Sequence, residues 1–173
     1  MTVDVLKTAA ILFVAVVLQS AIVSSIEIAG GTPDLLLVTL VAVSLLRGAI
    51  WGAAAGFAAG LLFDTANLAR LGETSLLLTV AGYWIGRYGE TTGRDRTHAP
   101  LLSVAVVTIL YSVGALALHV VLGDPVDAGT VLVGALIPGV LLNLLLAFPV
   151  YALVRRVLGR PEWATQEVRL LGQ

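Results

Sequence analysis

Four long stretches of this chain carry almost no charge. Residues 8–26, 35–63, 100–122 and 129–154 hold between them a single Lys, Arg, Asp or Glu, namely Arg47. Apolar runs of about 20 residues are what a helix needs to cross a bilayer core. Of 173 residues, 58% are hydrophobic and 12% charged. A soluble domain carries roughly 45–50% apolar and about 25% charged residues. A water-soluble fold of this length could not cover so much apolar surface. The pattern therefore predicts an all-α integral membrane protein.

The run at residues 8–26 is longer than the usual core of a signal peptide, about 7–15 residues, and no small-x-small cleavage site follows it. It is expected to stay attached as the first span, over residues 6–26. Then comes a turn, Ala29-Gly30-Gly31-Thr32-Pro33-Asp34. Its end has the grammar of a helix start: Thr32 to cap, Pro33 in the first turn, Asp34 near the positive end of the dipole. Residues 35–63 are too long for one ordinary span and short for two. As one helix they would place Arg47 deep in the bilayer, at a cost of about 2.5–3.5 kcal/mol. Splitting them at Arg47-Gly48 puts that residue at an interface at little cost. The expected spans are thus residues 6–26, 34–46, 48–63, 72–87, 100–122 and 129–158. The second and third are short and need longer neighbours around them. Residues 1–158 form one six-helix domain, and 159–173 form an interfacial tail with Trp163.

Charge fixes the orientation. Six spans put the N-terminus, the 2–3 turn, the 4–5 loop and the C-terminus on one side. That side holds Lys7, Arg47, Arg87, Arg94, Arg96, Arg155, Arg156, Arg160 and Arg169, nine of the ten basic residues; Arg70 lies opposite. The positive-inside rule makes the nine-residue side cytoplasmic.

Several classes of function lack the residues they require. There is no cysteine, so thiolate metal sites and cysteine nucleophiles are excluded. His98 is expected in the 4–5 loop and His119 near the outer end of the fifth span, too far apart to act together, and no carboxylate pair falls within a span. No metal, cofactor or catalytic constellation is therefore predicted. No basic block offers a nucleic-acid surface.

The residues that stand out concern packing. Gly48, Gly52, Gly56 and Gly60 recur every four residues, so they share one helix face and permit close backbone approach. Gly82 and Gly86 form a shorter ladder, with Ser75 and Thr79 one and two turns earlier. The two faces are expected to pack within the bundle, with a partner helix as the alternative. Ala59 is expected to point away from the ladder. Asp64 is expected to end the third helix and cap its turn, through amides of Thr65–Asn67 or opposite Arg70. Asp34 and Asp64 are the candidate polar anchors of the outer face. Asn143, between Pro138 and Pro149, is expected to bond a proline-freed carbonyl or another helix. Gln19 and Glu27 are expected at the interface.

The order of these motifs resembles a known family. Leu18-Gln19-Ser20, Thr32-Pro33-Asp34-Leu35-Leu36-Leu37, Arg47-Gly48, then Gly52 to Asp64 and Leu71-Gly72, resemble the rod shape-determining MreD family over roughly residues 10–90. The resemblance implies a non-enzymatic scaffold in the bacterial inner membrane. It implies pairing with a single-span MreC-like protein, and with the elongation polymerase, transpeptidase and actin-like MreB more indirectly. The family is similar in architecture to the substrate-binding S components of energy-coupling-factor vitamin transporters. A solute-binding subunit is therefore the rival expectation. Against it, the first span lacks an Ala-x-x-x-Ala docking pattern: Ala9, Ala10 and Ala15 are followed four residues later by Phe13, Val14 and Gln19.

Overall fold

The computed structural model describes residues 2–91, 99–123, 129 and 134–159. The elements are α1 (Thr2–Ala21), a 3₁₀ turn (Val23–Ser25), α2 (Leu35–Arg47), α3 (Ala49–Ala66), α4 (Glu73–Thr91), α5 (Ala99–Val121) and α6 (Leu136–Leu158). No strand occurs among the described residues. Among the described residues four segments are long and apolar enough to cross a membrane: Val3–Ser25, Ala49–Ala66, Ala99–Val121 and Leu136–Leu158. The tail with Trp163, the loop with Arg94, Arg96 and His98, and Asp124 lie outside the described residues.

The bundle is organised around α2. Every residue from Leu36 to Leu46 is buried, without the periodicity of a surface helix. A helix apolar all round belongs in a protein core or in lipid, and here the surroundings are protein: α1, α3, α4, α5 and α6 all contact α2. Its 13 residues reach about 20 Å, well short of a hydrocarbon core of about 30 Å. Gly48 ends α2 and starts α3 at φ 90° and ψ −176°, a conformation that strains any residue with a Cβ. The break expected at Arg47-Gly48 is therefore a real corner. The helix α3 runs on to Ala66, three residues beyond the expected end at Phe63.

Polar contacts sort the helix ends. Arg47 at the end of α2 meets Asp4 of α1 and the carbonyl of Leu158 in α6, and Glu90 of α4 meets the Ala49 amide of α3. At the opposite end, Asn67 after α3 bonds Ser20 of α1, and the carboxylate of Asp64 bonds the Gly72 amide before α4. The start of α1, the α2–α3 corner and the ends of α4 and α6 thus share one end of the bundle.

Candidate functional site

The glycine ladders face one another. A Cβ added at Gly52 would overlap the carbonyl oxygen of Gly82, and one at Gly82 would overlap that of Gly52. At Gly56 it would strike the Leu78 carbonyl, at Gly60 the Cα of Ser75, at Gly86 the backbone of Gly48. Backbone lies on backbone along most of α3 and α4, the approach that only glycine allows. Ser75 adds a bond from its hydroxyl to the Phe57 carbonyl at 3.0 Å. Thr79 instead bonds back within its own helix, to the Ser75 carbonyl. Gly48 carries a further contact: a Cβ there would meet the Glu90 carboxylate, which caps the start of α3 through the Ala49 amide at 2.8 Å. Both ladders are filled by each other, so neither face is open to a second protein. Ala59, expected to point away from the ladder, lies seven residues after Gly52 and so on the same side of the helix; it is 1% exposed and buried in the core, whereas Ala54 and Ala58 are exposed.

A second constellation surrounds the start of α2. A helix leaves its first amides without partners inside the helix. Here three are met by side chains. The Asp34 carboxylate accepts from Leu37 N at 2.8 Å, Gln19 Oε1 of α1 accepts from Leu35 N at 2.7 Å, and Asn143 Oδ1 of α6 accepts from Asp34 N at 2.7 Å. Gln19 also donates to the Pro33 carbonyl at 3.2 Å, and Asn143 donates to the Thr108 hydroxyl of α5 at 3.1 Å. Three helices, α1, α2 and α6, thus meet on the Pro33-Asp34-Leu35 backbone, and α5 joins them through Asn143. Asp34, rather than Thr32, is the cap. Gln19, expected at an interface, is 7% exposed and buried. Asn143 is 2% exposed and joins α2, α5 and α6; its partners are Asp34 and Thr108, not a proline-freed carbonyl. Below it, the turn before α2 packs on α6 with no room for a side chain. A Cβ at Gly31 would lie 2.6 Å from Gly139 N.

Asp64 lies inside the last turn of α3 rather than at its end, and it is fully buried. Its Oδ2 accepts from Gly72 N at 2.9 Å across the α3–α4 turn, and its carbonyl accepts from Ala69 N at 2.9 Å. The carboxylate therefore organises that turn from within, through Gly72 and not through the amides of Thr65–Asn67.

Arg47 lies at one end of the bundle and is enclosed there, with its side chain 5% exposed. It pairs with Asp4 at 2.8 Å and donates to the Leu158 carbonyl at 2.8 Å, which locks α1 and α6 onto the corner. A buried guanidinium is tolerated where such partners exist. Of these groups, Gln19 had a sequence signal, as the one large polar residue within residues 8–26. Thr108, Glu90 and Asp4 had none, because each acts through a contact distant in sequence.

His119 Nε2 lies 3.3 Å from Glu73 Oε1, joining the last turn of α5 to the start of α4. Among the described residues no three His, Cys, Asp or Glu side chains are placed to hold a metal. An apolar groove of about 740 Å³ lies between α4 and α5.

Against known proteins, the family model described as MreD, rod shape-determining protein, matches residues 3–157. No curated protein and no solved structure matches the chain.

Proposed function

The chain belongs to the MreD family of rod shape-determining proteins, and from that premise we propose that it is a non-enzymatic scaffold holding a single-span MreC-like partner. Its role in determining rod shape, and its character as a multi-pass membrane protein, follow from the family and the apolar helices. The observation that carries the further step is the family match across nearly the whole helical domain. The interior supports it. The buried polar groups around α2 bond one another, and none is arranged as an acid–base pair for chemistry. Gln19, Asp34 and Asn143, the polar side chains at the start of α2, are each engaged by protein groups and so are not offered to a vitamin-sized ligand.

In this reading the chain sits in the inner membrane with both termini in the cytoplasm. The nine basic residues on one side and the gathering of Asp4, Arg47, Glu90 and Leu158 at one end support that orientation. The partner reaches the elongation polymerase and transpeptidase, and through them or beside them the actin-like MreB. Because the ladders of α3 and α4 are closed, the partner's helix docks on another lipid-facing surface.

Native mass spectrometry of the protein purified in mild detergent tests this. The expected result is a stoichiometric MreC-like protein that is retained when its soluble domain is deleted and lost when its helix is replaced. A tightly held vitamin-sized molecule with no protein partner would overturn the scaffold reading.

A further inference from the structure

We propose that the groove between α4 and α5 holds one acyl chain of an anionic membrane phospholipid, with Arg87 as the contact for its phosphate. The walls are Leu76, Val80 and Trp84 on α4 and Leu102, Val106 and Leu110 on α5, joined by other apolar residues. In a bilayer a concave surface of this kind is filled by hydrocarbon, and its shape decides whether a chain is held or merely passes. From Leu76 to Tyr88 is twelve residue steps, about 18 Å at the helical rise. One leaflet contributes half of a core of about 30 Å. The groove is therefore as long as a single leaflet's chains.

Its two ends differ. Towards the outer end the helices touch: a Cβ on Gly114 would lie 2.9 Å from Leu77 Cδ2, and the Glu73–His119 contact at 3.3 Å bridges the helices beyond it. The groove is closed there. The other end is bordered by Trp84 and Tyr88, residues suited to the headgroup boundary. Arg87 lies three residues after Trp84 and seven after Val80, which puts it on the same helix face. Its side chain is 59% exposed. It meets Glu90 at 3.3 Å, but that carboxylate is also held by the Ala49 amide at the start of α3. A guanidinium has five donors, so most remain for a phosphate. A closed apolar slot with a cation at its open end is complementary to a lipid with an anionic headgroup.

The test uses the full-length protein, stripped of lipid in detergent and titrated separately with dioleoylphosphatidylglycerol and dioleoylphosphatidylcholine, with retention read by native mass spectrometry. One basic residue near a headgroup is expected to favour the anionic lipid by about fivefold. Arg87→Gln should abolish that preference while leaving chain binding in place. Val106→Trp should fill the groove and remove retention of both lipids. Phe148→Trp, on an exposed position of α6, should leave both unchanged. A preference that survives Arg87→Gln, or wild-type retention in a monodisperse Val106→Trp protein, would overturn the assignment. Because Arg87 is exposed, its variant tests the idea without risk to the fold. A photo-crosslinker at Val106 in native membranes should capture lipid; capture of a polypeptide, whether a partner or a second copy, would also overturn it.

Discussion

Replacing Gly56 by alanine is the smallest change that should disturb the α3–α4 contact. The added Cβ falls on the Leu78 carbonyl, a backbone atom that cannot rotate aside. The helices must separate, and every contact along the ladder loosens with them. Overpacking of this kind costs about 1–3 kcal/mol. Alanine recovers up to about 1 kcal/mol through its higher helix propensity. The net loss should be about 1–2 kcal/mol, or roughly 2–8 °C in melting temperature at this chain length. Gly56→Leu should exceed that and lower folded yield. Ala58→Leu is the matched control on an exposed position of the same helix and should stay within about 0.5 kcal/mol. Gly52 and Gly82 allow a sharper form, because each would strike the other's carbonyl. Once one alanine has forced the helices apart, the second meets less resistance. Gly52→Ala combined with Gly82→Ala should therefore cost less than the two single losses added together. Thermal unfolding monitored by size-exclusion chromatography reads all of these. Wild-type stability of Gly56→Ala, or strict additivity of the pair, would refute the argument that the ladder is a backbone contact.

Further outcomes follow from the other contacts. Asn143→Leu leaves the Asp34 amide and the Thr108 hydroxyl without their partner and should cost about 1–3 kcal/mol, read as a lower melting temperature. Gln19→Leu should cost a similar amount, since it frees the Pro33 carbonyl and the Leu35 amide, and tolerance of it would show that water reaches that site. Asp4→Asn weakens a pair in which Arg47 is enclosed but Asp4 is one-third exposed, so the loss should fall below the roughly 3–5 kcal/mol of a fully buried pair. For topology, single cysteines at Gly30, Ala69 and Asp124 should react with an impermeant reagent in spheroplasts, and ones at Arg94 and Gln173 should not; outside labelling at Arg94 would break the six-span arrangement.

How much of this was legible depended on whether the signal was local. The spans, the Arg47-Gly48 corner and the two ladders are written in runs and four-residue spacings, which the chain carries within single helices. The helix start at Asp34 was visible too, as a proline followed by an acid. What it was bonded to was not. Gln19 and Asn143 lie 16 and 109 residues from the amides they satisfy, and no periodicity connects them. For the same reason the enclosure of Gln19 and Arg47 by distant partners could not be read from the local sequence. Ala59 illustrates a different limit. In a helix whose faces are nearly all Gly, Ala and Leu, composition cannot tell the core side from the lipid side, since both are apolar. The groove has no sequence signature at all, because it arises from the angle between two helices.

The shortness of α2 links these observations. A helix of about 20 Å cannot carry both of its ends to water across a core of about 30 Å. Its end groups must then be satisfied inside the bundle. The first amides are met by Asp34, Gln19 and Asn143, and Arg47 at the last turn is met by Asp4 and the Leu158 carbonyl. Groups of α1 and α6 appear at both ends, a backbone carbonyl in the case of Leu158, so these long helices are held in register with α2 at two points rather than one. The helix α4 is fixed differently, by backbone contact with α3 that leaves no freedom to slide. The interior is thereby committed to holding its own shape. What remains for exchange with other molecules is the outer wall. On α5, Thr108 is tied to Asn143, Tyr111 to Thr74 and His119 to Glu73, and the groove runs along the side of that helix. Variation in what this protein binds should therefore track substitutions on α5 and the facing surface of α4, while substitutions around α2 should change whether it folds.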